Sequence, residues 1–287
     1  MRPTPLVPEP GATPTLAACW AKHDRAHEHC GELHDEFERY FADEPMRIES
    51  SGFDAVSGWW TFRTVEVKRL PLRPSVIVGD VVHNLRSALD HLVCQLVLFN
   101  HETPTTGNQF PIESDRARFS KSARRMLAGV RDDHATRIEA LQPFNRTEDD
   151  ELSKARAWAL GLLRDLSNQD KHRLINPVTA VTTPNTEFVF GSNDDAGPIG
   201  EIVFSGRIAA GVEFARVHIA PQGPDPHVRL LTEKVSSNAF FAGSEMPVIT
   251  VMRALRMTAA NILLGFEPDL DGDAAAAERA EALTRLL

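Results

Sequence analysis

The sequence predicts an α+β protein, and three features of the chain indicate this class. Apolar residues recur with helical spacing over residues 15–42 and over most of residues 75–167. Two other stretches, 46–70 and 176–241, are short, alternating and punctuated by Gly, Pro and Asn, which is typical of strands. Helical spacing then resumes before the acidic C-terminal residues. Helices and strands that are grouped in this way, rather than alternating, favour an α+β fold.

The composition narrows the classes of function. The 287 residues are 42% hydrophobic and 25% charged, which is typical of a globular protein. The net charge of -9 disfavours binding of nucleic acid or anionic membranes through the overall field, although a local basic surface remains compatible with RNA. Three cysteines at unpatterned spacings predict a cytoplasmic protein without disulfides. No apolar run is long enough to predict a membrane span, and the proline-rich residues 1–14 predict a disordered leader.

The first half of the chain predicts a helix, a hairpin and a second helix. The first helix covers Thr15 to about Ala42, and the second runs from about Ser75 to Asn100. The hairpin lies between them, at 46–70. The stripe of the first helix that we expect to face the core comprises Trp20, His23, His27, Cys30, Leu33, Phe37 and Phe41.

The second half begins with short helices at 115–128 and 133–142 and a longer one from about Asp150 to Ser167. Residues 176–241 read as β structure, a further helix covers 242–266, and an acidic tail covers 267–287. The apolar face predicted for the helix after Asp150 comprises Leu152, Ala155, Ala159, Leu162, Leu163 and Leu166.

Together these elements predict an antiparallel helical bundle with an N-terminal hairpin and a β-rich insertion before the C-terminal helix. The bundle would occupy residues 15–175 and contain the hairpin, while the helix at 242–266 returns to it. The segment 176–241 would then be an insertion and not an independent domain.

The stretch GDVVHNLRSALDH, residues 79–91, places many polar groups inside an apolar helix. At 100° per residue, one face is continuous and apolar, and the opposite face carries Asp80, Asn84, Ser87 and His91. Arg86 is four residues from Asp90, a spacing that favours an ion pair. We therefore expect this polar face to meet water, a cleft or another subunit.

The pair Arg86-x4-His91 resembles the short signature of HEPN-type ribonucleases, which are small helical bundles of bacterial toxin and antiphage systems. The resemblance implies a metal-independent endoribonuclease in which His91 exchanges protons with the ribose 2′-hydroxyl or the leaving oxygen. Arg86 would stabilise charge on the phosphate. The residues implied to support this pair are His83, Asn84, Asp90, Lys171 and His172. The stretches HNLRSALDH and NQDKHR also resemble a group of uncharacterised bacterial proteins.

Helical geometry separates Arg86 and His91 by about 140°, so one helix does not aim both at one phosphate. This favours a composite site in a homodimer, or else a local distortion of the helix. The resemblance implies RNA as the substrate, an antitoxin or regulatory protein as a further partner, and no cofactor. A basic segment supplies candidates for binding the RNA backbone, namely Arg118, Lys121, Arg124 and Arg125.

Two alternatives stay open, and with them the question of whether the chain is an enzyme. In one, Arg86, Asp90 and His91 form a structural polar network in a helical bundle that binds a ligand or a partner without catalysis. In the other, His23, His27 and His83 hold a divalent metal, and the bundle resembles DinB-like proteins.

Overall fold

A computed structural model describes residues 13–43, 45–171, 175, 177–178, 188–204, 210–233, 240–241 and 246–285. The chain divides into two compact units, each assembled from segments that are distant in sequence. The helical unit comprises Met1–Gly31, Val76–Ile175 and Val251–Leu287, and the sheet unit comprises Glu32–Ser75 and Asn176–Thr250. The α+β class is confirmed.

Seven α-helices occur among the described residues. They are α1 Ala17–Ala42, α2 Arg73–Phe99, α3 Arg116–Met126, α4 Asp132–Ala140, α5 Glu151–Asp170, α6 Val248–Leu270 and α7 Asp273–Thr284. The helices predicted before residue 168 are all present, within a few residues of their predicted ends. Two of them begin at an aspartate whose side chain accepts a backbone hydrogen bond, from Arg118 N to Asp115 and from Leu152 N to Asp150.

The described strands form one four-stranded and two two-stranded antiparallel sheets. The larger sheet has the order β1-β2-β6-β5, and the smaller ones pair β3 with β8 and β4 with β7. The strands are β1 Met46–Asp54, β2 Trp59–Val67, β3 Pro177–Val178, β4 Phe188–Ser192, β5 Ile199–Phe204, β6 Glu213–Ile219, β7 Val228–Glu233 and β8 Phe240–Phe241.

The hairpin at 46–70 is confirmed, but it belongs to a different unit of the fold from the one that the sequence predicted. Strand β2 pairs with β6, with Trp60 opposite Val217, so the hairpin belongs to the sheet unit and not with the helices. The physical reason is a shared core. Phe62 of β2 and Phe214 of β6 are buried, and the Phe62 ring lies 5.0 Å from that of Phe190.

Helix α2 buries the apolar face that the sequence predicts. No surface is exposed on Val78, Val81 or Leu85. Burial in the core therefore accounts for the apolar residues of the stretch 79–91. Gly79 lies against α5, where a Cβ atom would come 2.5 Å from Oδ1 of Asp170.

Two predicted helix faces are wrong in part. His27 is exposed, whereas His29 is buried, because the buried face of α1 is centred closer to Cys19 and Ala26. On α5, Leu152 is 80% exposed and Ala155 is also exposed. The face of α5 that is buried instead comprises Ser153, Ala157, Ala159, Leu160, Leu163, Leu166 and Ser167.

The C-terminal region contains more helix than predicted. Helix α6 extends to Leu270, and α7 lies within the predicted acidic tail, where it buries Leu283. Helix α6 is long and apolar enough to cross a membrane, but half of its most apolar window is buried, as in a core helix. The predicted leader falls mostly on residues 1–12, outside the described residues.

Candidate functional site

Arg86 and Asp90 form an ion pair on α2, one helical turn apart. The Arg86 Nη2 atom lies 2.9 Å from Asp90 Oδ1, and the side chains retain 17% and 26% of their exposure. The predicted ion pair is therefore confirmed. Because both groups are largely removed from water, the pair needs further hydrogen bonds to be stable.

Phe110 supplies those hydrogen bonds. Its backbone N–H donates to Asp90 Oδ1 at 2.8 Å, and its carbonyl oxygen accepts from Arg86 Nη2. The ion pair thus satisfies both polar groups of one buried residue in the segment between α2 and α3, which has no regular structure. The pair holds this segment against α2.

The same segment is held by two more buried polar side chains. Gln142 donates through Nε2 to Pro111 O at 2.9 Å and accepts through Oε1 from Glu113 N at 3.0 Å. Asn108 donates to the carbonyl oxygens of Met126 and Ala128. Side chains thus replace the hydrogen bonds that regular structure would provide, and they fix the backbone from residue 108 to residue 113.

This segment forms one wall of a cleft of about 660 Å³ in the helical unit, and α2, α3 and α5 form the others. The lining is mixed, with charged, neutral polar and apolar side chains. Its residues are His83, Arg86, Ser87, Asp90, Gln109, Phe110, Ile112, Glu113, Arg118, Met126, Arg164, Asp165, Ser167, Asn168 and Lys171.

Burial in this wall raises the pKa of Asp90 above its ordinary value. The charge of Arg86, the hydrogen bond from Phe110 N and the charge of Lys171 all act in the opposite direction, but burial is the largest cause. Asp90 is therefore a destabilised anion that depends on its neighbours.

His91 does not line the cleft, although Arg86 does. It is partly buried, and burial together with the positive charge of Lys22 lowers the pKa of its imidazole. Within one chain the cleft is therefore lined by Arg86 and His83 but not by His91, in keeping with the angle of about 140° between Arg86 and His91.

Of the residues predicted to support Arg86 and His91, some line the cleft and others do not. His83 is exposed and lines the cleft, as does Lys171, the residue that follows α5. Asn84 is buried, does not line the cleft, and donates from Nδ2 to Asp80 O at 2.9 Å on its own helix. His172 lies outside the described residues.

The candidates for RNA binding lie on α3. Arg118 lines the cleft and pairs with Asp115 at 3.1 Å. Lys121, Arg124 and Arg125 are exposed and do not line it. These three cations form no ion pair with any part of the chain that the structure describes.

The alternative metal site has no support in the structure. No group of three His, Cys, Asp or Glu side chains among the described residues is placed to hold a metal ion. His23 is 1% exposed, and burial and the positive charge of Arg256 lower the pKa of its imidazole. A cation close to this histidine opposes the binding of a second one. His27 is exposed, and His83 lines the cleft.

Sequence reasoning missed Gln109, Glu113 and Arg164 as cleft residues. The signal for the first two was the stretch QFPIE, residues 109–113, in which Gln109 and Glu113 flank the buried apolar run 110–112. A short apolar run outside any predicted helix or strand indicates a segment that is packed without regular structure. Arg164 carries no local signal, since it is one more charge on a helix.

No protein-family model, curated protein or solved structure matches this chain.

Proposed function

We propose that this protein binds a small polar ligand in the cleft between α2, α3, α5 and the segment 108–113. One observation carries the proposal: buried side chains fix the backbone of the cleft wall, while other polar side chains of the same cleft make no side-chain hydrogen bond within the described residues. A prearranged wall with free polar groups is typical of ligand sites, and about 660 Å³ is a suitable size for a small molecule.

The unpartnered groups lie on two helices and on the wall. Ser87 of α2, Asn168 of α5 and Gln109 of the wall make no side-chain hydrogen bond to the described part of the chain. These groups are free to donate and accept hydrogen bonds. The ion pair of Arg86 with Asp90 belongs to the wall in this proposal, which corresponds to the structural network considered from the sequence.

A thermal-shift screen tests the proposal. Wild type, Ser87→Trp and Ala155→Trp would be heated with a collection of neutral, anionic, cationic and zwitterionic metabolites. Ser87 lines the cleft, whereas Ala155 is exposed on α5 outside it, so the second variant controls for an added indole. We expect a compound that raises the melting temperature of wild type and Ala155→Trp but not of Ser87→Trp. A collection without such a compound would refute the proposal.

A metal-independent, HEPN-like endoribonuclease is the second candidate. Arg118, from the basic helix α3, lines the same cleft as Arg86, Arg164 and Lys171, so an RNA backbone entering it would meet four basic side chains. This candidate includes the homodimer, an antitoxin or regulatory partner, a role in toxicity or phage defence, and a cytoplasmic location. It also requires His91 to act on RNA from outside the cleft of its own chain.

Incubation of wild type, Arg86→Lys and His91→Ala with mixed RNA in excess chelator tests this candidate. Cleavage by wild type that disappears in His91→Ala would support it. Intact RNA with all three proteins would refute it, whatever the ligand screen shows. Arg86→Lys keeps the charge but not the fork geometry of the guanidinium, so circular dichroism must first show that it folds. The antiparallel bundle is part of both proposals.

A further inference from the structure

Among the residues that the structure describes, one positive and one negative side chain of the cleft lack an ion-pair partner. Three of its four Lys and Arg residues are neutralised locally: Arg86 by Asp90, Arg118 by Asp115, and Arg164 by Asp165 at 2.8 Å. Lys171 forms no ion pair within the described part of the chain, and it is exposed. One positive charge is therefore left for a ligand.

Glu113 is the corresponding negative group. The other two carboxylates of the lining, those of Asp90 and Asp165, have arginine partners. The Glu113 carboxylate is partly buried, and it makes no hydrogen bond or ion pair to the residues that the structure describes. Its backbone is fixed by Gln142, so the carboxylate extends from a rigid base.

Lys171 and Glu113 line the same cleft without forming an ion pair with each other, so the nitrogen and oxygen atoms are more than 4.0 Å apart. A ligand that carries both a negative and a positive group can therefore neutralise the two side chains separately. A polyanion would be attracted by Lys171 and repelled by Glu113, whereas a zwitterion can form a favourable electrostatic interaction with each of them.

We propose that the ligand of this cleft is a small zwitterion of the amino-acid class, with its acidic group at Lys171 and its ammonium group at Glu113. This inference rests on the proposed function and names the ligand class for it. Ser87, Gln109 and Asn168 then bind the uncharged polar parts of the ligand. Met126 and Ile112 provide the apolar surface that such sites also need.

Calorimetric titration tests the assignment. The common amino acids are titrated into wild type, and the tightest binder is compared with its analogue lacking the amino group and its analogue lacking the carboxyl group. We expect the intact amino acid to bind about tenfold more tightly than either analogue, because each analogue leaves one charged side chain of the cleft unpaired.

Substitutions identify the two charges. Glu113→Gln and Lys171→Met should each weaken binding of the amino acid about tenfold. In Glu113→Gln, the analogue that lacks the amino group should bind almost as tightly as the amino acid itself. Glu278→Gln and Lys68→Met, at exposed positions outside the cleft, are the matched controls and should leave the affinity unchanged.

The inference is overturned if no amino acid binds, if either analogue binds as tightly as the amino acid, or if both cleft substitutions leave the affinity unchanged. Its failure is distinct from failure of the proposed function. A neutral or anionic metabolite that stabilises wild type but not Ser87→Trp would retain the binding cleft and refute only the zwitterion.

Discussion

Arg86 and Asp90 bind the two polar groups of one residue, since the carboxylate accepts the N–H of Phe110 and the guanidinium donates to its carbonyl oxygen. The pair acts on the backbone as an adjacent strand would. Arg86 and Asp90 therefore have a structural role, which is compatible with a binding cleft that both of them also line.

Replacing Asp90 should destabilise the fold. Asp90→Ala leaves Arg86 and the N–H of Phe110 without their partner, so we expect a loss of about 2–3 kcal/mol in the free energy of unfolding. Asp90→Asn keeps an acceptor and should cost about half as much. Urea denaturation measures both, with Glu281→Ala as the control. Glu281 pairs with Arg285 on the surface, so its loss should cost less than about 0.5 kcal/mol.

His83 and His91 should differ in their effect on ligand binding. His83→Ala removes a side chain that lines the cleft and should weaken any ligand found by the thermal-shift screen. His91→Ala should leave the affinity within about twofold, because His91 does not line the cleft. The reverse order, measured by calorimetry, would contradict the placement of the cleft.

The orientation of α5 can be tested by two matched substitutions. Leu160 has no exposed surface and Leu152 is 80% exposed, although both are leucines of one helix. Leu160→Ala should cost about 3 kcal/mol of unfolding free energy, whereas Leu152→Ala should cost less than about 0.5 kcal/mol. A larger loss for Leu152→Ala than for Leu160→Ala in chemical denaturation would show that the helix is turned as its periodicity predicted, and comparable losses would contradict the burial of only one of the two leucines.

Stability should fall as the pH falls through about 6.5. Burial lowers the pKa of His23 and of His134 below the ordinary value of 6.5. In that range the unfolded chain therefore binds protons that the folded chain does not, so the histidine contribution to stability is complete above about pH 6.5 and is lost below it. Burial raises the pKa of Asp90 and of Glu267, which contributes in the opposite sense at more acidic pH.

The measurement is the free energy of unfolding at about pH 7.5 and about pH 5.5 for wild type and for His134→Gln. The His134 ring is 1% exposed, and its Nε2 lies 3.6 Å from Asp269. The variant should show a smaller loss of stability between the two pH values. An equal loss in both proteins would mean that His134 does not contribute.

The sequence predicted the helices and strands more successfully than their faces. The apolar face of α2 was correct because its apolar residues form one broad stripe at helical spacing. Helix α5, in contrast, carries Leu152 and Ala155 next to its true core residues and has two possible stripes. Periodicity cannot choose between two apolar stripes, because tertiary packing decides which one is buried. The sequence indicated Arg86 as a site residue. It could not indicate the hydrogen bonds with Phe110, because the segment around Phe110 has neither helical nor strand periodicity.

Long-range pairing could not be predicted either. No local pattern in WWTFRTVEVK shows that β2 pairs with β6, since the partner strand lies far along the chain. Because the hairpin lies between two helices in the sequence, we predicted that it belongs to the helical bundle. It belongs instead to the sheet unit, where Phe62, Phe190 and Phe214 share one core.

The pairing of β2 with β6 also affects biosynthesis. During translation the hairpin β1-β2 leaves the ribosome long before residues 213–219 are made. Until then one edge of β2 is unpaired, and Trp60 and Phe62 are exposed to solvent. Such late closure slows folding and exposes the nascent chain to association with its neighbours. Expression at reduced temperature should consequently increase the recovered fraction of this protein.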